Sequence, residues 1–302
     1  MSRLILAGGS GFIGRAIASS LRGQGWQVQI LTRTPRSEGD LQWDAQHLGA
    51  WASELDGADG IFNLVGEPVS QRWTADVRRK IVASRVESTK VLGEACSRCH
   101  APPHVWVNAS AVGFYGDTGS RTVDELAPHG PSDDFLVETC QQWEAAARTT
   151  VPAPTTLRFV RIGFVLGKGG GAYPALQRLT KLFLGGHVGS GTNYVSWIHL
   201  DDLVRQFEFA LGPSAPPIMN GTAPTPVTMS ELMFAMRHAA NRPWSPPAPV
   251  FALALASRLL GTPDPGLVTI SQRISPKAAL DAGFEFNFAD LAKALDNLHT
   301  SP

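Results

Sequence analysis

The sequence predicts an α/β fold: a doubly wound parallel sheet with helices on both faces, joined to a smaller α-rich C-terminal lobe. Three observations carry this expectation. In the first half, short apolar runs of strand length alternate with longer stretches of helical periodicity, the rhythm of βαβ units. A glycine-rich turn joins the first strand to the first helix. Beyond residue 212 the chain holds 13 of its 22 prolines, set between short helical patterns.

The elements follow in order. Arg3 to Gly9 reads as a buried strand and Phe12 to Gln24 as a helix. Gln27 to Arg33 is a second strand, Leu41 to Asp44 a short third and Gly60 to Gly66 a fourth. A long helix begins at Thr74, its apolar residues recurring at Val77, Ile81, Val82, Val86 and Leu92. His104 to Val112 is a fifth strand, Phe135 to Thr150 a helix and Thr155 to Leu166 a sixth strand. Glycine clusters at Gly167 to Gly171 and Gly185 to Gly191 mark a change of composition, so the expected division is residues 1–162 and 163–302. The segment from about 194 to 225 is expected to return to the sheet. Further helices are expected at Thr228 to Ala240 and Phe251 to Leu260. The hairpin Gly185 to Gly191, with Trp197, is expected to fold over the cleft.

Composition removes several function classes. Twenty-six basic residues balance 26 acidic ones, which argues against a nucleic-acid partner, since phosphate-backbone binding needs a basic surplus. At 43% hydrophobic the 302 residues bury a sizeable core and do not read as disordered. No apolar run reaches the ~18 residues of a membrane span. Three cysteines form no even disulfide framework, and Met1 leads into the first strand without an export signal, so a reduced cytoplasmic protein is expected. Cys96-Ser97-Arg98-Cys99-His100 has haem-attachment spacing but closes a helical pattern and lacks an export signal, which makes it a chance pair. No metal-ligand spacing occurs among the histidines. Gly167-Lys168 is not a P-loop: Ile162 stands where a glycine is required and Gly169 where a Ser/Thr would hold magnesium.

Gly8-Gly9-Ser10-Gly11-Phe12-Ile13-Gly14 is a G-x-x-G-x-x-G motif at a strand–turn–helix junction, a Rossmann-type dinucleotide site. The first glycine permits the sharp turn, the second lets backbone approach a pyrophosphate, and the third lets helix and strand lie close. The helix N-terminus presents free N–H groups and a positive dipole end to the phosphates. An NAD site usually places a carboxylate on the second strand about 20 residues on. Here the place reads Leu31-Thr32-Arg33-Thr34-Pro35-Arg36, with no carboxylate before Glu38. An arginine pairs bidentately with a 2′-phosphate and stacks on adenine, so Arg33 and Arg36 favour NADP(H) over NAD(H).

Further motifs carry a resemblance: Asn63-Leu64-Val65-Gly66-Glu67-Pro68, Ser84-Arg85-Val86, Ser110 to Gly116, Trp143-Glu144, Arg161 to Gly167 and Trp197 to Asp202. With the glycine turn, they make the chain resemble the extended short-chain dehydrogenase/reductases, the nucleotide-sugar epimerase group. More narrowly it is similar to atypical epimerase family proteins that carry a C-terminal domain of unknown function. The resemblance implies that Leu64, Val65, Gly66 and Glu67 line a dinucleotide below the fourth strand and that Asp44 lies near adenine. Arg85 takes the place of a helix Asn and is expected among the cofactor-binding residues, and Ser110 stands at or beside the catalytic Ser/Thr. Arg161, ending a buried strand, is expected to face the cofactor or a structural carboxylate.

That superfamily's acid/base chemistry uses Tyr-x-x-x-Lys, because a tyrosine with pKa ~10 needs a nearby cation to work at neutral pH. No such spacing exists here: the fourth residues after Tyr115, Tyr173 and Tyr194 are Gly119, Gln177 and Ile198. Alignment on Glu144 puts Leu136 and Cys140 at the two positions. Ser110 and Tyr115 are the leading substitute hydroxyls, with Glu67 and His199 as alternatives. The expected function is an NADP(H)-binding oxidoreductase or nucleotide-sugar epimerase-like protein acting on a small-molecule substrate. The alternative is a non-catalytic NADPH sensor.

Overall fold

The computed structural model describes residues 2–250, 264 and 266–300. The elements of the main unit are β1 (Arg3–Ala7), α1 (Phe12–Gly23), β2 (Gln27–Thr32), β3 (Asp40–Gln42), β4 (Gly60–Asn63), α2 (Ala75–Ser97), β5 (Val105–Ala111), α3 (Phe135–Thr150) and β6 (Thr156–Ile162). After these come β7 (Phe164–Leu166), α4 (Tyr173–Lys181), β8 (Tyr194–Val195), β9 (Trp197–His199), α5 (Leu200–Phe209), β10 (Ile218–Gly221), β11 (Val227–Thr228) and α6 (Met229–Ala239).

Seven parallel strands form one sheet in the order β10-β6-β5-β4-β1-β2-β3. Leu4 to Ala7 and Gly60 to Asn63 are wholly buried, as strands covered on both faces must be. On one face, α1 and α5 set Ile17, Leu21, Leu203 and Phe207 against Phe62, with the Phe62 and Phe207 rings 5.4 Å apart. On the other, α2 and the segment Ala50–Leu55 pack Leu92, Trp51 and Leu55 against Trp106. The strand order reverses between β1 and β4, and in open α/β sheets the ligand crevice opens at such a switch point, outside the carboxyl ends of the strands.

The expected sixth strand, Thr155 to Leu166, is two strands. Gly163 breaks it: its N–H donates to Gly221 O (2.9 Å), while the next residue, Phe164, donates to Ser196 O (2.8 Å). A Cβ at Gly163 would lie 2.3 Å from Ser196 O, so the chain changes sheets where only glycine fits. β6 stays in the main sheet and β7 pairs with β9. β10 returns to the main sheet beside β6, and α5 packs on α1.

The remaining residues build the lobe around Leu166, Trp197, Leu232, Met236, Leu291 and Leu295. Trp197 belongs to that core: it is buried and its Nε1 donates to Thr225 O (3.0 Å), which corrects its expected place over the cleft. Thr228 is the N-cap of α6 in a reciprocal capping box with Glu231. The expected helix Phe251 to Leu260 lies outside the described residues.

Candidate functional site

Two loops meet at the carboxyl ends of β1 and β4. The first is the glycine turn. Gly8 has φ +79, and a Cβ there would lie 2.8 Å from the Leu64 carbonyl carbon and oxygen, so glycine lets the loop after β4 lie directly against the turn. A Cβ at Gly14 would lie 2.5 Å from Gly8 O and 2.6 Å from Gly9 Cα. Leu64 N donates to Ala7 O (2.9 Å), which holds Leu64, Val65, Gly66 and Glu67 alongside. Gly11, the N-cap of α1, provides no side-chain cap, and the first turn holds no acid. By contrast Thr74, Asp134, His199 and Thr228 each accept a backbone N–H at the start of their helices. The α1 N-terminus therefore keeps its donors and positive end for a ligand. Phe12 lies under Gly167, Gly170 and Gly171, so the Gly167 to Gly171 cluster covers this helix start. Ser10 O accepts from Arg15 Nη1 (2.7 Å), and Ile13 packs on the core.

At the end of β2, Arg33 and Arg36 are exposed. Asp40 Oδ2 accepts the backbone N–H groups of Arg36 (2.9 Å) and Ser37 (3.1 Å), which shapes the loop that carries them. Asp44 is turned into its own loop, accepting from Gln46 N and His47 N (2.8 Å each) and bonded to His47 Nδ1 (2.7 Å). The hydrogen bond from the His47 side chain, with the two backbone donors, holds its carboxyl well below the usual carboxylate range. This donor set, an open helix start with two guanidiniums and no carboxylate at the end of β2, fits a phosphorylated dinucleotide.

At the far end of the crevice Arg161 faces a carboxylate, one of its two expected partners. Arg161 is 2% exposed and turned inward: its Nε and Nη2 donate to the two Glu144 oxygens (2.8 and 2.9 Å), and its Nη1 donates to Tyr115 Oη (2.9 Å). Its guanidinium carbon stands 3.5 Å from the Phe114 ring centroid. Tyr115 Oη donates to Asn220 Oδ1 (2.8 Å), and burial pushes its pKa up to about 12. Ser110 Oγ donates to Glu144 Oε1 (2.8 Å). Ser110, Tyr115 and Arg161 thus form one buried network that ties β5, α3, β6 and β10 together. Glu144 and Asn220, neither read from the sequence as a site residue, complete it. The signal for them was weak, because the partners sit 17 and 105 residues away.

The two dyad positions are filled by packing. A Cβ at Gly113 would lie 3.3 Å from Leu136 Cβ and 3.6 Å from Cys140 Sγ, and burial pushes the Cys140 thiol up to about 12. The alternatives fare differently. Burial lowers the His199 pKa, and its Nδ1 accepts from Asp201 N (3.1 Å) as the cap of α5. Glu67 accepts from Gln71 Nε2 (3.3 Å) in the loop after β4, next to the Arg85 side chain. The Gly185 to Gly191 hairpin packs on Pro246 and Pro247 and borders an open cavity of about 490 Å³ with Asp117, Ser120, Asn193 and Tyr194. Among the described residues no cluster of three or more His, Cys, Asp or Glu is placed to hold a metal, and no helix is long and apolar enough to cross a membrane.

Comparison with known proteins agrees with this geometry. The model of the NAD dependent epimerase/dehydratase family matches residues 4–220, and that of a domain of unknown function matches residues 248–298. An epimerase family protein of Mycobacterium leprae is 36% identical over 98% of this chain and 95% of its own. The Arabidopsis thaliana chloroplastic homolog of epimerase family protein SDR39U1 is 34% identical over 96% of this chain and 84% of its own. The crystal structure of human epimerase family protein SDR39U1 with NADPH superposes with a TM-score of 0.88 at 31% identity, covering 98% of this chain and 99% of that one. From the glycine turn to β10, and over most of its length in these relatives, the chain belongs to the NAD-dependent epimerase/dehydratase family.

Proposed function

We propose that this protein binds NADP(H) in preference to NAD(H) and acts as an oxidoreductase or epimerase-like enzyme on a small-molecule substrate at the switch-point crevice. The observation that carries the cofactor choice is the exposed pair Arg33 and Arg36 at the end of β2, where no carboxylate stands to hold a 2′-hydroxyl. The similar human protein crystallised with NADPH supports it. Gly8, Gly11 and Gly14 would admit the pyrophosphate to the α1 N-terminus, and Leu64 to Glu67 would line its path. When bound, the nicotinamide supplies a hydride donor or acceptor. The chain's part is to orient that half and exclude water. Its free cysteines fit a reducing compartment such as the cytoplasm.

The test is a titration of NADPH and NADH by tryptophan quenching with wild type and Arg33→Asp. Wild type is expected to bind NADPH at least tenfold more tightly, and the charge reversal to remove about tenfold or more of NADPH affinity while leaving NADH within about threefold. Equal affinity for the two cofactors, or an Arg33→Asp variant that keeps NADPH, overturns the assignment.

One observation favours a second reading. The dyad positions are packed, and Ser110 and Tyr115 are bonded internally. A protein that binds NADPH without turnover, as a sensor, fits that arrangement. Tight NADPH binding with no NADPH oxidation across a panel of carbonyl compounds, together with a cofactor-dependent change in partner affinity, identifies it.

A further inference from the structure

Arg85 stands apart from the other arginines of the crevice. It projects from α2 beneath the loop after β4, and its Nη1 donates to Glu67 O (3.1 Å) and Ile81 O (2.9 Å). The seat is made by a missing side chain: a Cβ at Gly66 would lie 2.8 Å from both Cζ and Nη2 of Arg85. On its other side the guanidinium carbon is 5.1 Å from the Trp143 ring centroid. Trp143 lies three residues beyond Cys140 on α3, and Cys140 is the position aligned with the dyad lysine. The guanidinium therefore occupies the space between the β4 loop and the α3 face from which a lysine would otherwise project.

Its donors are unevenly engaged. Arg161 directs Nε, Nη1 and Nη2 into Glu144 and Tyr115. Arg85 engages Nη1 alone; among the described residues its Nε and Nη2 have no hydrogen-bond partner, and the Glu67 carboxylate acts on it through its charge without an ion pair. The side chain is only partly buried. A partly buried cation with two open donors is unfavourable unless a ligand or water completes it. The open edge sits beside Gly66, in the loop that Gly8 brings against the glycine turn.

We propose that Arg85 is the cation that replaces the missing lysine, its Nε and Nη2 holding the ribose hydroxyl oxygens of the nicotinamide half of the bound dinucleotide. The inference rests on the cofactor reading above and assigns the opposite end of the same site. It makes Arg85 a positioning residue for the nicotinamide, and it explains why the fold retains an occupied cation site after the tyrosine–lysine pair is gone. Gly66 and Trp143 then act together with it, one by leaving room and the other by supporting the guanidinium face.

The experiment compares ligands that contain the nicotinamide half with ligands that lack it. Calorimetric affinities are measured for NADPH and 2′,5′-ADP, and in parallel for NADH and ADP, with wild type, Arg85→Met, Arg85→Lys and Arg33→Asp. Arg85→Met is expected to lose about tenfold or more toward the dinucleotides and to stay within about twofold toward 2′,5′-ADP and ADP, since charge-assisted bonds to the distal ribose are removed. Arg85→Lys is expected to recover most of the loss. Arg33→Asp is expected to weaken NADPH and 2′,5′-ADP alike. Wild-type dinucleotide affinity in Arg85→Met overturns the proposal, and so does an equal loss toward the mononucleotides. If Arg85→Met does not fold, as judged by far-UV circular dichroism, Arg85→Gln takes its place in the same comparison. If Arg33→Asp leaves NADPH unchanged while Arg85→Met discriminates dinucleotide from mononucleotide, the 2′-phosphate assignment fails and this one stands. If wild type binds no dinucleotide, both fall.

Discussion

At the scale of single residues, the decisive fact is the inward turn of Arg161. Burial works against its charge, and the Glu144 carboxylate more than restores it, with Tyr115 adding a further acceptor. Removing one partner of such a pair leaves a buried charge uncompensated. Glu144→Ala is therefore expected to cost roughly 3–5 kcal/mol in urea unfolding, against about 1.5–3 kcal/mol for Tyr115→Phe, which removes the acceptor of Arg161 Nη1 and the donor to Asn220 Oδ1. A loss under about 1 kcal/mol for Glu144→Ala would mean that Arg161 finds water or another partner. The importance of Arg161 was legible in its place at the end of a buried strand; the identity of its partner was not. Strand and helix periodicity say which face a residue occupies but not which side chain meets it across the interior.

Single elements show where local pattern suffices and where it fails. α6 was readable to within a residue at each end, because Thr228 and Glu231 form a capping box that depends only on their spacing. His199 is similar: its N-cap role follows from its place just before Leu200-Asp201-Asp202. Burial lowers its pKa from 6.5, although Asp201 and Asp202 pull the other way, and Phe288 stacks on the ring at 3.9 Å between centroids. A lowered folded-state value means that the stability from this group is complete above the unfolded pKa and is lost as pH falls through the folded one. Acidification from pH 7.5 to 5 is thus expected to destabilise the protein by up to ~1.4 kcal/mol per pH unit from this group. His199→Asn, a cap that does not titrate, is expected to flatten the thermal-melting profile over that range, and an unchanged slope in the variant refutes it. The β6–β7 break had no such local mark. Gly163 lies inside an apolar run, and only the proximity of Ser196 O explains why the strand stops there.

At the scale of the whole molecule, the segment Ser271 to Ser275 ties the C-terminal part of the chain to the loop after β5 and to β10. Thr118 N donates to Ser271 O (2.8 Å), Val123 N to Arg273 O (3.0 Å) and Ser275 N to Val123 O (2.8 Å). Ser196 Oγ donates to Gln272 O (2.7 Å), and Asn220 Nδ2 to Ser275 O (2.9 Å). Glu125 adds to the joint by accepting from Asn220 N (2.8 Å) and Ala278 N (3.0 Å). Sheet and lobe are therefore expected to unfold together: in native-state hydrogen exchange, the amides of Arg273, Ile274 and Ser275 open with the same free energy as those of β5 and β6. Earlier opening of Ser271 to Ser275 would show the lobe to be an independent unit. The doubly wound class, the glycine turn, the carboxylate-free end of β2 and the absence of the tyrosine–lysine pair are all legible in the amino-acid order, since each depends on composition or on spacing along a single element. It took packing in three dimensions to bring Ser110, Tyr115 and Arg161 into one buried network and to seat Arg85 between Gly66 and Trp143. Those assignments depend on which faces of β5, α2, α3 and β6 meet, and packing between segments far apart in the chain sets that.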